Sequence, residues 1–571
     1  MTASSSTASS SADASTRPTT PAQGPNTDAA QDVADKKRQY RAQKKAEQQA
    51  RKDERKRIAH ETGVDPALLP ERLGGGLQAG QIEPKGFAAR EWVEVPRQGS
   101  DRADDATKVS ILTWNMLAQA LVRRELFPGS DCLKGKDRIP PLMQEVLYYA
   151  PDIACLQEVD RLSDHLPHLT RTHSYTSFIG YRNKPHGLLI AHKNSVFSKV
   201  GERGLRLDEQ PLDDAEPEMP SGAESPRADE HHVDQAKDDV PPASEPTDEE
   251  RPPDAATPDS RASRLAAGLS RVTRNVALFV ALKFKGREGG VIIGTTHLFW
   301  HPKHVYERVR QTGILLREAN KFRSESPGEE WKDWPVFLAG DFNTQPCELT
   351  YRLLLGAPLP QGQIDEFSHS TCVHHTVDKF YDPSFEPPSP AQPEAKEGET
   401  QGDEENDPDK VIKNTRPSRP EDGLADIERI KALYGYKEGG SGLRSAYGET
   451  HGLVESEESK WYCRRNPEVQ NGAEAKVVPT EEEQRERARG SWEERVLRGD
   501  FEPIYTNYTP LWRCTLDYIL LLPPLPSTSH PSAAFTSLLK LHDEATMGAG
   551  LPRKNVEPSD HVAVAAVVEL S

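Results

Sequence analysis

Asp341 and Asn343 stand two residues apart in PVFLAGDFNTQP (335–346), where a short apolar run ends at Gly340. A carboxylate and a carboxamide side by side could hold a hard, oxygen-seeking cation, a phosphate oxygen or an attacking water. In isolation Gly340, Asp341 and Asn343 would make an ordinary turn. Their company says otherwise. Asn115 follows VSILTW (109–114), Glu158 follows IACLQ (153–157), and His297 follows GVIIGTT (290–296). Asp517 lies in LDYILLL (516–522), and Asp560 with His561 precede VAVAAVVEL (562–570). A structural chain ends its strands in mixed turn residues; acids, amides and imidazoles at nearly every one point to a shared site.

The elements that must position these groups are short and apolar. Val336–Ala339 and Ile153–Leu156 have the character of strands covered on both faces. A carboxylate directly after Ile153–Leu156 is costly to bury unless it is paired or binds a metal. Thr176–Gly180, Gly187–His192 and Val276–Phe284 read as further strands. Helices are expected over Ile139–Tyr149, with proline in its first turn, over Val305–Phe322 from the spacing of Val309, Leu316 and Phe322, and over Leu349–Leu355 and Ile427–Tyr434.

Composition separates this core from the rest of the 571 residues. Only 35% are hydrophobic, 47 are proline, and the mean hydropathy is -0.73, so much of the chain cannot bury enough surface to offset its ordering entropy. Residues 1–107 are expected to be a disordered tail, with the catalytic core at 108–571 interrupted by acidic or charged insertions at about 208–262, 382–422 and 455–498. Between Asp208 and Asp259 there are 18 Asp and Glu against three Lys and Arg, which carries most of the net charge of -18. The remainder is close to neutral, so net charge does not exclude a polyanionic substrate. Lys36–Arg57 holds 11 basic residues against three acids and is helix-capable; it suits a phosphate backbone, a nuclear import receptor or plain solvation. These acidic and basic segments are candidate contacts for protein partners.

The six cysteines show no CxxC pair, and the Ser/Thr/Ala-rich N-terminus has no apolar signal region, which favours a reducing compartment. Apolar runs such as Val562–Val568 are too short to span a bilayer, so a soluble chain without membrane association is expected.

TWNMLAQ, CLQEVD, GTTHLFWHP, LAGDFNTQP, TLDYILL and SDHVAV, in this order, resemble the endonuclease/exonuclease/phosphatase superfamily. More narrowly they resemble its carbon-catabolite-repressor deadenylase branch, which includes the nocturnin, Angel and fungal Ngl-type proteins. NMLAQALVRRELFP with KDRIPPLMQEVLYYAPDIACLQEVD is most like the Ngl-type RNA exonucleases. The resemblance covers about 109–200, 270–356, 425–450 and 500–570. It implies an α/β fold, a four-layer sandwich of two packed mixed sheets flanked by helices, with the site at one sheet edge. It also implies Glu158 as the main magnesium ligand with Asp560 nearby. Asp341 and Asn343 would orient or deprotonate the attacking water, held by Asn115. His561, braced by Asp517, would face the scissile phosphate, and His297 would stabilise developing charge.

These roles match what phosphodiester hydrolysis needs: a metal, a base for the water and donors for the pentacoordinate charge. Oxygen ligands favour magnesium, or manganese, over zinc. An inositol phosphatase would be expected to show a CDR-containing motif where TLDYILL stands. Trp512, at a position where deadenylase relatives place a base-packing aromatic, and Pro302, which matches a proline near it, are candidate substrate contacts; a rim or core aromatic is the alternative for Trp512. The expected activity is 3'-to-5' RNA exonucleolysis on poly(A) or another RNA 3' tail, in the cytoplasm or nucleus. A nocturnin-like dinucleotide 2'-phosphatase and an RNA-bound scaffold are the rival readings.

Overall fold

In the computed structural model, residues 84–96, 106–181, 184–212, 273–374, 415–422, 424–435, 442–454, 491–525 and 532–571 are described. The basic segment Lys36–Arg57 and most of each expected insertion lie outside these residues.

The strands are β1 (Trp92–Glu94), β2 (Thr107–Asn115), β3 (Ile153–Val159), β4 (His173–Phe178), β5 (Gly187–Lys193), β6 (Phe197–Arg206), β7 (Val276–Phe284), β8 (Gly290–Thr296) and β9 (Val336–Asp341). They continue with β10 (Thr371–His374), β11 (Thr415–Pro417), β12 (Arg444–Ser445), β13 (Asn507–Tyr508), β14 (Arg513–Cys514), β15 (Asp517–Leu521), β16 (Ala533–Leu539) and β17 (Val564–Leu570). One sheet has seven strands in the order β1-β16-β17-β2-β3-β5-β4; the other has six, β12-β15-β9-β8-β7-β6. Each is mixed, with one parallel pair near its centre, β2 with β3 and β8 with β9.

The two sheets share a core in which Ile111, Ile153, Ile190 and Val564 of the first meet Val280, Ile293, Phe337 and Ile519 of the second. Behind the seven-stranded sheet, Leu112, Trp114 and Leu156 pack on Leu142, Met143 and Val146 of the helix Gly135–Tyr149. Behind the six-stranded sheet, Phe279, Ile292 and Leu338 pack with the helices Val305–Ser324, Leu349–Leu355 and Ile427–Tyr434. Helix, sheet, sheet and helix give the four layers. Every residue of β3, β8, β9 and β15 is buried, which is why these strands read as unbroken apolar runs.

Several boundaries differ from the sequence reading, each for a local reason. The fold begins before Lys108: β1 pairs with β16, and the buried Arg90 donates to Glu145 at 2.9 Å and to the Ala563 carbonyl at 2.6 Å. Asp208, counted in the acidic insertion, is buried and accepts a hydrogen bond from the Arg274 amide at 2.7 Å. Within the second expected insertion β11 pairs with β10, and within the third Ser491 caps the helix Trp492–Leu497. The first long helix starts at Gly135, because the Lys134 carbonyl accepts from Asp137 and Arg138 and builds a turn ahead of Pro140.

Candidate active site

Both parallel pairs end at the same side of the sandwich. β2 delivers Asn115, β3 delivers Glu158, β8 leads into His297 and β9 ends on Asp341. β15 and β17 run antiparallel to β9 and β2, so the residues at and before their starts, Asp517 and then Asp560 with His561, arrive at the same side. This topology gathers groups that lie up to 446 positions apart in sequence.

Asn115 is the joint. Its Nδ2 donates to Glu158 Oε1 at 3.0 Å and to Asp341 Oδ2 at 2.9 Å, while its Oδ1 accepts from the Leu117 amide. Glu158 accepts a second bond from the Ala118 amide at 2.9 Å. The β3–β5 register shifts between Leu156 and Val159, and Glu158 sits there with a φ of 54°. Such a bulge re-aims one side chain at a cost of order 1–3 kcal/mol of backbone strain. Gln157 then turns between the sheets, donating to Thr113 and Thr295, and leaves Glu158 for the site.

Asp517 lies directly opposite Asp341 across the β9–β15 ladder. Its Oδ2 is 2.7 Å from His561 Nδ1 and accepts from the Thr506 hydroxyl at 2.6 Å. His561 Nε2 is 3.7 Å from Asp341 Oδ2. Burial lowers the His561 pKa, but Asp517 and then Asp341 more than reverse this and hold it well above the usual histidine value. His561 thus favours the imidazolium form, which carries a proton on each ring nitrogen, with Nδ1–H directed at Asp517. The Asp341 carboxyl is pushed up to about 7, by burial first and the Asp517 charge second.

His297 behaves in the opposite way. Its Nε2 is 3.8 Å from Glu158 Oε1 and 3.7 Å from Asp341 Oδ2, yet burial pushes it down to about 3 and it is neutral. For Glu158, burial favours the protonated form; the nearby His297 and His186 rings and the hydrogen bonds from Asn115 and the Ala118 amide act the other way and hold the carboxyl below its usual value, and with His297 neutral the hydrogen bonds are what remain. The side chains of His297 and Glu158 are 15% and 11% exposed, against 6% or less for Asp341, Asp517 and His561. Glu158 and His297 thus form the more open side, with the other three behind.

Asn343 departs from the expected geometry. Its φ is 46°, so it has left the strand and the two-residue alternation no longer applies. Its Nδ2 donates to the Leu298 carbonyl at 2.8 Å, and its amide returns to Asp341 Oδ1 at 3.0 Å. Asp560 is half-buried, and its carboxyl is raised by burial and by the Glu158 charge. Trp512 is half-buried in the turn between β13 and β14, where its amide donates to Thr509 Oγ1 at 2.8 Å. Pro302 is half-buried beyond His297, its carbonyl accepting from Arg308.

Sequence reasoning missed several participants. His186 lies with its ring centroid 6.2 Å from that of His297, just before the start of β5; the only signal is the turn NKPHG. Ser559 ties its loop to β2 by donating to the Asn115 carbonyl at 2.6 Å, and Arg138 reaches the carbonyls of Met116, Leu117 and Pro558 from the helix behind. Thr506 had no signal at all.

The donor set fits a hard divalent cation. Glu158 is ionised and Asp560 is destabilised by it, a pair of oxygen ligands that a dication would relieve. Among the described residues Asp341, Asp517 and His561 also meet within 4.8 Å and form a second group of candidate ligands, in which His561 Nδ1 is already engaged by Asp517 at 2.7 Å.

Residues 112–395 match the Endonuclease/Exonuclease/phosphatase family. A probable RNA exonuclease of Schizosaccharomyces pombe is 30% identical over 283 residues, 48% of this chain and 44% of that protein. RNA exonuclease NGL2 of Saccharomyces cerevisiae is 29% identical over 279 residues, 44% of this chain and 43% of that protein. The match spans less than half the length of these curated relatives. The solved structure of ANGEL2, a 2',3'-cyclic phosphatase, in complex with adenosine-2',3'-vanadate, is 16% identical, covering 85% of this chain and 99% of that chain at a TM-score of 0.44.

Proposed function

We infer the activity from one premise: this chain carries a domain of the Endonuclease/Exonuclease/phosphatase family. The reading is a magnesium-dependent RNA exonuclease that hydrolyses phosphodiesters from the 3' end and releases 5'-nucleotides. RNA as substrate is supported by the relatives' names, and the chemistry by the site. The observation that carries it is the unbroken path from Glu158 through Asn115 to Asp341 and on to His561 and Asp517.

Glu158 and Asp560 would hold the cation, magnesium or manganese by their oxygen donors. When bound, the cation supplies positive charge that polarises the phosphoryl oxygens. Asp341, with its carboxyl near 7, takes the proton of the attacking water at Oδ, and Asn115 fixes that carboxylate by its hydrogen bond to Oδ2. Asn343, bonded to Leu298, orients the water beside it. His561 donates from Nε2 to the developing charge, and Asp517 keeps the ring protonated and aimed. Neutral His297 donates at the open side. Trp512 and Pro302 contact the 3'-terminal base.

The test is a purified protein on RNA labelled at either end, with magnesium, with manganese and with chelator. The expected result is stepwise shortening from the 3' end, release of 5'-nucleotides and loss of activity on chelation. Internal cleavage, or hydrolysis confined to phosphate monoesters of small nucleotides, would refute the reading. A poly(A) substrate beside a mixed-sequence 3' tail decides between tail preferences.

A further inference from the structure

His561 and His297 are held by different means. Asp517 braces the His561 ring directly, whereas the His297 ring has no hydrogen bond among the described residues: its nearest carboxylates stand 3.7 and 3.8 Å away. Its aim must come through its backbone. That backbone is clamped at four successive polar atoms. Asn275 Nδ2 donates to the His297 carbonyl at 2.8 Å, the Leu298 amide donates to the Asp341 carbonyl at 3.0 Å, Asn343 Nδ2 donates to the Leu298 carbonyl, and the Phe299 amide donates to Gln311 Oε1 at 3.0 Å.

Two of these clamps, Asn275 and Gln311, lie outside the reaction machinery and are bonded to each other. Gln311 Nε2, with two hydrogens to give, lies within hydrogen-bond reach of Asn275 Oδ1 at 3.1 Å, Thr273 Oγ1 at 2.9 Å and Glu307 Oε1 at 2.6 Å. Glu307 also accepts from Arg310 at 2.8 Å, and Arg310 lies 3.6 Å from Asp208. The Leu207 amide donates to the Asn275 carbonyl at 3.0 Å, closing the circuit. Asn275, Gln311, Glu307 and Arg310 are buried, so each bond is made away from competing water and its loss leaves an unpaired polar group.

We propose that Asn275 and Gln311 are a positioning pair for His297. They hold the backbone on either side of Leu298, and through Arg310 and Asp208 they tie that backbone to the two chain ends that flank residues 213–272. Neither side chain reaches the reacting atoms. The inference rests on His297 acting in the reaction, and the experiment separates the two claims.

The experiment is a double-mutant cycle on RNA hydrolysis in the full chain, with kcat and KM read separately. Asn275→Ala and Gln311→Met are each expected to lower kcat about tenfold or more while KM changes less than about threefold, because the ring is misplaced in the transition state and substrate contacts remain. In a His297→Ala background the same substitutions are expected to change kcat less than about twofold, since there is no ring left to position. Gln311→Met keeps the side-chain length and apolar contacts, so it provides the readout if Asn275→Ala does not fold. Additive losses in the His297→Ala background overturn the positioning role and make the pair a general support of the fold. Full activity of His297→Ala alone overturns the catalytic reading of His297 and, with it, this proposal. Losses confined to KM also overturn it.

Discussion

Asp517→Asn removes one charge while keeping the shape of the side chain, and the site's electrostatics fix what must follow. Asp517 raises His561 through a 2.7 Å charged hydrogen bond, and after burial it is the largest influence raising Asp341. Losing a charge-assisted bond of this kind costs about 1.5–3 kcal/mol, or roughly one to two pH units at 1.36 kcal/mol per unit. On the proposed mechanism the rate needs Asp341 deprotonated and His561 protonated, which sets an acidic and a basic limb in the kcat profile. Both groups fall in pKa when Asp517 is neutral, so both limbs move to lower pH together, by about one to two units at the basic limb. Activity therefore drops more on the basic side of the profile than on the acidic side. Stability runs the other way. The native His561 pKa is raised, so its contribution to folding is complete below the unfolded value of about 6.5 and is lost as pH rises through the native value. The variant's deficit in Tm is thus largest below about pH 6.5 and shrinks at higher pH. The assay is kcat against pH for both proteins, with thermal melts in the same buffers. An equal fold-loss at every pH, or limbs moving in opposite directions, would refute the argument and leave Asp517 as a packing group.

Glu158→Gln should reduce hydrolysis by at least about a hundredfold and also abolish the rise in Tm that magnesium gives the parent protein, because a cation that binds only the folded state stabilises it; a variant still stabilised by magnesium would move the metal site elsewhere. Trp512→Ala should lower catalytic efficiency on RNA roughly tenfold to hundredfold, the equivalent of about 1–3 kcal/mol of base stacking, and leave a phosphodiester lacking bases far less affected. Equal losses on both substrates would make Trp512 a packing residue. Deleting 214–270 should leave activity on short RNA and the melting temperature close to the parent, whereas deleting 208–262 should lower the Tm by several degrees, because it leaves Arg310 without the buried Asp208. Identical melts for the two deletions would show that Asp208 contributes nothing to the core.

The central strands and the groups at their ends were legible in sequence because they obey local rules. β3, β8, β9 and β15 are buried on both faces, so each is an apolar run, and each run is followed or begun by one conspicuous polar residue. The strands that escaped notice lie nearer the sheet edges. β6 mixes exposed Ser198, Lys199 and Glu202 with half-buried arginines and two glycines, and β1 is three residues long, so neither has enough apolar pattern to separate it from a loop. The site residues that escaped act by hydrogen bonding across long sequence distances. Thr506 with Asp517, Ser559 with the Asn115 carbonyl and Asn275 with the His297 carbonyl have no spacing or composition that marks them, because their partners are chosen by the sheet topology. Asp208 misled for the converse reason: its neighbours in sequence are acidic, but its own environment is Arg310 and the Arg274 amide.

The opposite charge states of the two histidines follow from where the acids are. His561 stands between Asp517 and Asp341, so a proton on its ring is attracted from both sides and one positive charge sits among two negative ones. His297 faces Glu158 and Asp341 at 3.7–3.8 Å, without the short bond that would offset its burial, and it stays neutral. Were His297 also protonated, its charge would neutralise Glu158 and compete with any cation for it. Keeping this ring neutral leaves the Glu158 carboxylate, already ionised by Asn115 and the Ala118 amide, available to a dication with Asp560. A neutral imidazole still has a donor to offer, so His297 can stabilise an oxyanion without weakening the metal site beside it. On the proposed role of His297 the lack of a carboxylate brace is a requirement, and the aim of the ring is then left to the bonds that hold its backbone.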